Sequence, residues 1–301
     1  MATQHGPNDR TGEAFGVRVG SLACPLSVPL PQRLSNRKAK AIRKLTRRKH
    51  RRRQERTLVE GVRAVEAALE AEAPLASLVA SEEARAEDAR VAALARQAEA
   101  QAVPCYTTTP ETLAPLSAVA SSQGVLAVAE ASVAAPEALA EAAQAVLVLD
   151  GVQDPGNAGT ALRTAAWFGA GGVLAGPGTA GLYGPKTMRA AMGAHWGLAL
   201  ARTPDLAEAL GGLRRAGFTL YGADLTGTPA CAWQPRTPSA LVLGSEAHGL
   251  SAPAMDLVGE RVALPAASPA GGPARGERAV ESLNVAVAGG VLLYEWLRRE
   301  G

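Results

Sequence analysis

The spacing of apolar and polar positions divides most of the chain into two α/β units. In TLVEGVRAVEAALEAE the apolar residues Val62, Val65 and Leu69 fall at helical spacing, and LASLVAS after it reads as a short strand. SEEARAEDARVAALARQAEAQ predicts one long helix, with Ser81 as N-cap and acids in the first turn, where the helix dipole favours them. VPCYTT, a helix over Pro110 to Leu116 and GVLAVAE complete a compact unit spanning residues 57–130. ASVAAPEALAEAAQ, residues 131–144, reads as a linker with a turn or two of helix.

From Ala145 the pattern changes. AVLVLD, GGVLAG, FTLYGAD, ALVLGS and RVALP are nearly continuous apolar runs ended by Gly, Pro or Asp, with amphipathic helical segments between most of them. Strands apolar on both faces belong to a parallel sheet covered by helices on both sides. The expected fold is therefore α/β, with a parallel-sheet domain over residues 145–301 preceded by the smaller α/β domain. In such sheets ligands bind at the carboxyl ends of the strands, and that is where the unusual residues of this sequence fall.

Charge adds a third feature. The 301-residue chain has a net charge of +3, yet residues 33–56 hold thirteen Lys and Arg against one acid, Glu55, a local charge of +12 that leaves −9 for the rest. Such a block is expected to be a solvated arm. A solubilising role is one reading. The sharper one is phosphate-backbone binding through Arg43, Lys44, Arg47, Arg48, Lys49, Arg51, Arg52 and Arg53. The run has no aromatic residue, so it would supply affinity and not base selection. If helical, it would gather Ile42 and Leu45 on one side. Residues 1–32, rich in Pro, Gly and Ser and without periodicity, read as a flexible extension.

Composition narrows the function classes. Hydrophobic residues make up 47%, which excludes global disorder, and the longest apolar stretch, near Val285 to Leu297, is too short and too broken to span a membrane. Cys24, Cys105 and Cys231 are scattered, and neither they nor His195 and His248 have partners at metal-site spacing. No metal, no disulfide scaffold and a reducing compartment are expected.

Three motifs carry candidate chemistry. In LDGVQDPGNAGTALRTAAWFGAGGVL a strand ends at Asp150, and a helix begins near Ala158 with Asn157 as a suitable cap and Arg163 nearly two turns in. Asp-Pro-Gly-Asn is also ordinary turn chemistry, and Arg163 as a plain surface arginine is the alternative. In LVLGSEAHGLS a buried strand empties into Gly244, Ser245, Glu246 and Gly249, where glycines let backbone amides approach a ligand and Glu246 needs a donor or a cation. In SLNVAVAGGVLLYEWL, Ser282 is a good N-cap and the Gly289-Gly290 pair permits tight helix contact. A capped core helix explains Ser282 but leaves Asn284 unexplained.

In this order and spacing, DxxxDPxNxGxxxRTAxxFG, LGSExxGL and SLNVxxA resemble the SpoU (TrmH-like) family of the SPOUT RNA methyltransferases. YGPKTMRAAMGAHWGLAL looks like the family's segment between the first two motifs. LVEGVRAVEAAL and SSQGVLAVAE look like the substrate-binding domain of its ribosomal-RNA branch, a small RNA-binding domain of ribosomal-protein type. The resemblance implies a deep trefoil knot in the C-terminal domain, bound S-adenosylmethionine, a homodimer with sites completed across the interface, and methyl transfer to a ribose 2′-hydroxyl. It places the cofactor at Leu243, Gly244, Leu264, Pro265, Leu283 and Asn284. It assigns catalysis to Arg163, with Asn157, Glu246, Ser282 and Asn284 orienting the reactants. Arginine is a poor general base, so Arg163 is expected to act through phosphate contact and charge stabilisation as much as by proton removal.

The implied enzyme is cytoplasmic and acts on ribosomal RNA. A transfer-RNA 2′-O-methyltransferase is the enzymatic alternative, disfavoured because that branch generally lacks the N-terminal domain. A catalytically silent protein that binds RNA and S-adenosylmethionine is the other, disfavoured by the intact Asn157, Arg163, Ser282 and Asn284. Two details depart from the family pattern. Residues 266–281, AASPAGGPARGERAVE, form a longer insert than relatives have, with Arg275 and Arg278 as candidate RNA contacts, and Ala191 stands where serine is frequent. Lys186 and Arg189 are further candidate phosphate contacts, a solvated helix face being the alternative.

Overall fold

The computed structural model describes residues 32–118, 122–266 and 282–298. Within them the two α/β units are present as two sheets. The smaller unit runs β1 (Gln32–Arg33), α1 (Asn36–Lys44), α2 (Arg48–Gln54), β2 (Arg56–Glu60), α3 (Val62–Glu70) and β3 (Leu75–Ser81). It continues with α4 (Glu82–Glu87), α5 (Ala89–Ala100), β4 (Cys105–Thr108), α6 (Pro110–Leu113) and β5 (Val125–Glu130). Its mixed sheet has the order β1-β4-β3-β5-β2.

The basic run is not a free arm. Leu34, Ile42 and Leu45 are buried against Leu58, Val79, Leu126 and Val128 of the sheet, so three apolar side chains hold α1, with Lys38 over the ring of Tyr106 and its other charges facing water. Arg51 is turned inward, donating from Nη1 to the carbonyls of Leu45 and Thr46 at 2.8 Å each. The other seven basic residues assigned to RNA are exposed. The long helix expected after Ser81 is broken at Asp88, whose extended backbone (φ −108°, ψ 109°) ends α4 and whose side chain caps α5 through the amide of Arg90.

The larger unit runs α7 (Ala138–Ala142), β6 (Ala145–Leu149), α8 (Pro155–Trp167), β7 (Gly172–Ala175), α9 (Pro185–Ala191) and β8 (Ala199–Arg202). It ends with α10 (Leu206–Arg215), β9 (Thr219–Pro229), β10 (Ser239–Leu243), α11 (Ala252–Leu257), β11 (Glu260–Ala263) and α12 (Val285–Leu297). The sheet order is β11-β9-β10-β6-β7-β8, and every pairing is parallel. Both faces are covered, as the apolar runs require. Leu147 and Leu149 pack under α8 and α12, while Val146 and Val148 pack under α10 and α11. Each such burial contributes about 1.5–3 kcal/mol. Gly289 makes the tight contact expected of it, since a Cβ there would lie 2.6 Å from a methyl of Leu243. Strand β8 was not foreseen: its four residues are half alanine, and it is defined by pairing with β7.

The two sheets are joined by direct packing. Met188 of α9 is buried in the small unit's core, with Tyr183 and Trp196 against it. Thr57 Oγ1 donates to the carbonyl of Tyr183 at 2.9 Å. Gly193 (φ +89°) approaches α3 so closely that a Cβ would sit 2.5 Å from that of Ala67. Arg189 lines this seam beside Leu58, Val59 and Glu60, which takes it away from the RNA contact expected of it; Lys186 is exposed. His195, in the turn after α9, is 2% exposed, donates from Nε2 to the carbonyl of Leu182 at 2.8 Å and lies beside the rings of Tyr183 and Trp196.

Two stability predictions follow from this seam. Gly193→Ala adds a steric contact to a left-handed backbone and should cost about 2–4 kcal/mol in urea unfolding. Gly217→Ala, at φ +93° with nothing within 4 Å, should cost only about 1–2 kcal/mol; equal losses would show that the Ala67 contact contributes nothing. Burial holds the His195 pKa down to about 4. Between that value and the unfolded value near 6.5 the unfolded chain binds the extra proton, so stability rises with pH across this window. Acidification from about pH 6.5 to 4 should remove about 3 kcal/mol through this group. His195→Gln should flatten that part of the profile; an unchanged profile would exclude His195 as its source.

Candidate active site

The carboxyl ends of the central strands are level, because Leu243, Leu149, Ala175 and Arg202 are successive partners across β10, β6, β7 and β8. Two loops leave this rim side by side. The loop after β6 is held by the Asp150 amide donating to the Leu243 carbonyl (2.8 Å), and by Asp150 Oδ2 accepting from the Ser251 amide (2.6 Å). It then enters α8 one turn earlier than expected. Asp154, not Asn157, is the N-cap, its Oδ1 accepting from the Asn157 amide at 2.9 Å. Asn157 thus sits in the first turn with its side chain released from capping.

The loop after β10 folds back on itself. The amides and carbonyls of Ser245 and Gly249 exchange hydrogen bonds at 2.9 and 3.0 Å, and the His248 amide donates to Ser245 Oγ at 3.1 Å. Gly244 is required for this: a Cβ would lie 2.1 Å from the Gly249 carbonyl carbon. The space a side chain would fill is therefore taken by the chain's own backbone. What the loop presents outward is Glu246.

Asn157 Nδ2 donates to Glu246 Oε1 at 2.7 Å, and Asn157 Oδ1 accepts from Asn284 Nδ2 at 3.1 Å. A carboxylate only accepts, so the Asn157 amide has to turn its NH₂ toward Glu246 and its oxygen toward Asn284. Asn284 is in turn the N-cap of α12, its Oδ1 accepting from the amides of Ala286 (2.9 Å) and Val287 (3.3 Å). That role had been expected of Ser282, which lies two residues earlier and exposed. Asn284 thereby acquires the explanation the sequence left open: it starts the helix and ties it to the other two motifs.

The remaining candidates fall around this cluster. Leu243 and Gly244 are buried at the end of β10. Leu264, half-buried against the core, and exposed Pro265 follow β11. Leu283 is 52% exposed beside Asn284. Apolar side chains with a carboxylate near them, and no cationic side chain bonded into the cluster among the described residues, fit a neutral aromatic base joined to a positively charged centre. Arg163 is not joined to the cluster within the chain. It is exposed on α8, about 120° round the helix from Asn157, and has no hydrogen-bond or ion-pair partner among the described residues. Arg275 and Arg278 lie outside the described residues. No group of three or more potential metal ligands occurs among the described residues, and none of their helices is long and apolar enough to cross a membrane.

Comparison with known proteins places this geometry. The model of the SpoU rRNA Methylase family matches residues 144–294, and that of the MRM3-like substrate binding domain matches residues 36–127. The chain is 31% identical over 260 residues to the 23S rRNA (guanosine(2553)-2′-O)-methyltransferase RlmP of Bacillus subtilis, covering 86% of this chain and 95% of that one. A putative RNA methyltransferase of the TrmH family from Porphyromonas gingivalis superimposes with a TM-score of 0.71 at 32% identity, over 88% of this chain and 99% of that one. The SpoU methyltransferase AviRb from Streptomyces viridochromogenes, in complex with AdoMet, gives 0.73 at 26% identity, over 88% and 98%. A match of this extent, on a chain whose three polar motifs meet at one rim of its sheet, makes it a member of the SpoU rRNA methylase family.

Proposed function

We propose that this protein transfers a methyl group from S-adenosylmethionine to a ribose 2′-hydroxyl of ribosomal RNA. The observation that carries the reading is the hydrogen-bonded chain Glu246–Asn157–Asn284, which brings the three motifs to one place at the carboxyl rim of the sheet. Leu243, Gly244, Leu264, Pro265, Leu283 and Asn284 would hold the cofactor, which supplies an activated methyl group when bound. The protein's own task is then alignment and charge. Asn284 starts α12, and Asn157, bonded to it, ties that start to the first turn of α8 at the rim. Glu246 gives one carboxylate oxygen to Asn157, leaving the other to accept a hydrogen bond from a ribose hydroxyl. Ser282, exposed beside Leu283, adds a hydroxyl at the same border.

Arg163 enters through a partner. Trp167, one turn further along α8 on the same side, is 83% exposed, and Leu283, Val287, Val291 and Tyr294 form an exposed apolar stripe leading into and along α12. α8 and α12 pack together, with Phe168 against Tyr294 at 5.8 Å between ring centroids. These side chains make one apolar face, and a second copy of the chain would cover it. In that homodimer Arg163 of one protomer reaches the cluster of the other, where its guanidinium steadies the developing alkoxide and an adjacent phosphate. On this reading the C-terminal segment forms the family's knot, and the enzyme works in the cytoplasm. The small domain and its seven exposed basic residues of the 43–53 run bind the RNA backbone, which favours ribosomal over transfer RNA as substrate.

Nucleotide-resolution mapping of 2′-O-methylation in total RNA, from cells with and without this protein, should reveal one ribosomal position that loses its methyl group; a lost transfer-RNA methylation, or none, would refute the assignment. Arg163→Ala should retain S-adenosylmethionine binding and lose at least about 100-fold in turnover. Mixed with Asn284→Ala chains it should regain activity, because each heterodimer holds one intact site; failure of this complementation would place Arg163 in its own chain's site or outside catalysis. Trp167→Glu should yield a monomer by light scattering, with folding retained and methyl transfer lost. A dimer of unchanged affinity would remove the α8–α12 face from the interface.

A further inference from the structure

The proposed reaction leaves Arg202 without a task. It is the last residue of β8, half-buried, at the same rim as the methylation site and two strands from β6, roughly 10 Å along the sheet. Its guanidinium is held in place: Nη2 donates to the carbonyl of Thr179 at 2.9 Å and Nη1 to that of Ala180 at 3.4 Å. Those two residues are themselves fastened to the start of the β6–α8 loop. Thr179 Oγ1 donates to the Leu149 carbonyl (2.7 Å) and accepts from the Gly151 amide (3.1 Å), while the Ala180 amide donates to the Val152 carbonyl (2.9 Å). Arg202 and Asn157 are thus mounted on one hydrogen-bonded scaffold.

Helix α2 of the small domain comes to the same corner. The carbonyl of Glu55, its C-cap, accepts from the Ala131 amide at 2.7 Å, and three residues on Ala134 pairs with the outer edge of β8, its amide donating to Leu200 at 2.8 Å. Four residues span at most about 13 Å of extended chain, so the end of α2 is tethered close to β8. Arg48 and Arg52 are exposed on α2 and lie four residues apart, on one side of the helix. Burial first, and then the positive charges of Arg48 and Arg52, lower the pKa of Arg202; no carboxylate acts on it in the opposite sense. Among the described residues none of the three takes part in an ion pair.

Arg48 and Arg52 act repulsively on Arg202 and none of the three has an ion-pair partner among the described residues, an arrangement that a bound anion relieves. Arg202 spends part of its five-donor fork on two carbonyls, and its remaining donors, with the forks of Arg48 and Arg52, match the oxygens of a phosphate. We infer that Arg202, Arg48 and Arg52 form one site for an RNA backbone phosphate, built from both domains and held at a fixed distance from the methylation site. The inference rests on the proposal that RNA is the substrate. It adds Arg202, which lies outside the basic run, and makes the site shared instead of a diffuse attraction.

The test is the affinity of a fluorescently labelled single-stranded RNA oligonucleotide, measured by anisotropy across a salt series for the whole protein. Arg202→Gln should weaken binding and reduce the slope of log affinity against log salt by roughly 0.7, the value for one phosphate of a single strand. The Arg48→Gln/Arg52→Gln pair should do the same, and combining all three should reduce the slope little further, because one phosphate is lost only once. S-adenosylmethionine affinity, which reads the integrity of the loop scaffold, should not change in Arg202→Gln. An unaltered salt slope, a slope change that adds in full between the two sets, or lost cofactor affinity with RNA binding intact would each overturn the shared site. So would displacement of the RNA by polyglutamate equally well in wild-type and triple-variant protein. Methyl transfer by the unsubstituted protein to deproteinised ribosomal RNA is scored in parallel. Its absence, with the slope effects present, would count against the reaction and not against the phosphate site.

Discussion

The site depends on a single primary amide. Asn157 has one donor end and one acceptor end available for side-chain contacts, and both are committed, to Glu246 on one side and Asn284 on the other. Its partners are 89 and 127 residues away along the chain. Both bonds form together only if β6 and β10 end level and α12 returns to the start of α8. The first condition is met by the register of Leu149 with Leu243, the second by α12 packing on α8. A slip of one residue between β6 and β10 would exchange the buried faces of both strands, so the hydrophobic register and the polar cluster are consequences of the same pairing. Hydrogen bonds to a charged acceptor are the stronger kind, and Glu246 makes the orientation of the whole chain of contacts unambiguous.

That dependence explains what was legible in the sequence and what was not. The parallel sheet was readable because AVLVL and SALVL are apolar on both faces, and only a sheet covered twice can bury them. The membership of the site was readable in part, since Asn157, Glu246 and Asn284 carry the three motifs. The helix caps were misassigned at both α8 and α12. Asp154 and Asn157 are each good caps, as are Ser282 and Asn284, and local propensity cannot choose between neighbours of equal merit. The choice is made by contacts more than eighty residues away: Asn157 is claimed by Glu246, and Asn284 by Asn157. Arg163 illustrates the opposite limit. Its motif position is clear, but its surroundings in one chain are solvent, so its role is not legible from a single protomer's geometry.

Charge misled in a similar way. The density of Lys and Arg in residues 33–56 suggested a solvated arm, whereas three apolar residues, Leu34, Ile42 and Leu45, are enough to seat α1 on the sheet. Each aliphatic side chain buried is worth about 1.5–3 kcal/mol, comparable to the cost of crowding several exposed, screened cations. Strand β8 was hidden for a different reason. ALAR has little strand propensity, and the segment is extended because β7 on one side and Ala134 on the other supply backbone partners. Propensity is weak evidence at such positions, because pairing overrides it.

Seating the basic helices changes what they can accomplish. A tethered arm raises the local concentration of RNA but leaves its position undetermined, since a flexible link transmits no geometry. Here α1 is seated on a sheet that is packed through Met188, Tyr183 and Trp196 onto the catalytic domain, with Gly193 allowing close approach to the Ala67 methyl, and α2 is tied in by Arg51 and by the Glu55 carbonyl. A phosphate held by α2 is then at a defined position relative to the rim carrying Glu246 and Asn157. For a reaction whose methyl donor arrives already activated, most of the barrier the protein can lower lies in alignment of the attacking oxygen. With the phosphate site proposed here, rigid docking would turn electrostatic attraction, which is indifferent to sequence, into selection among ribose positions by their distance from an anchored phosphate.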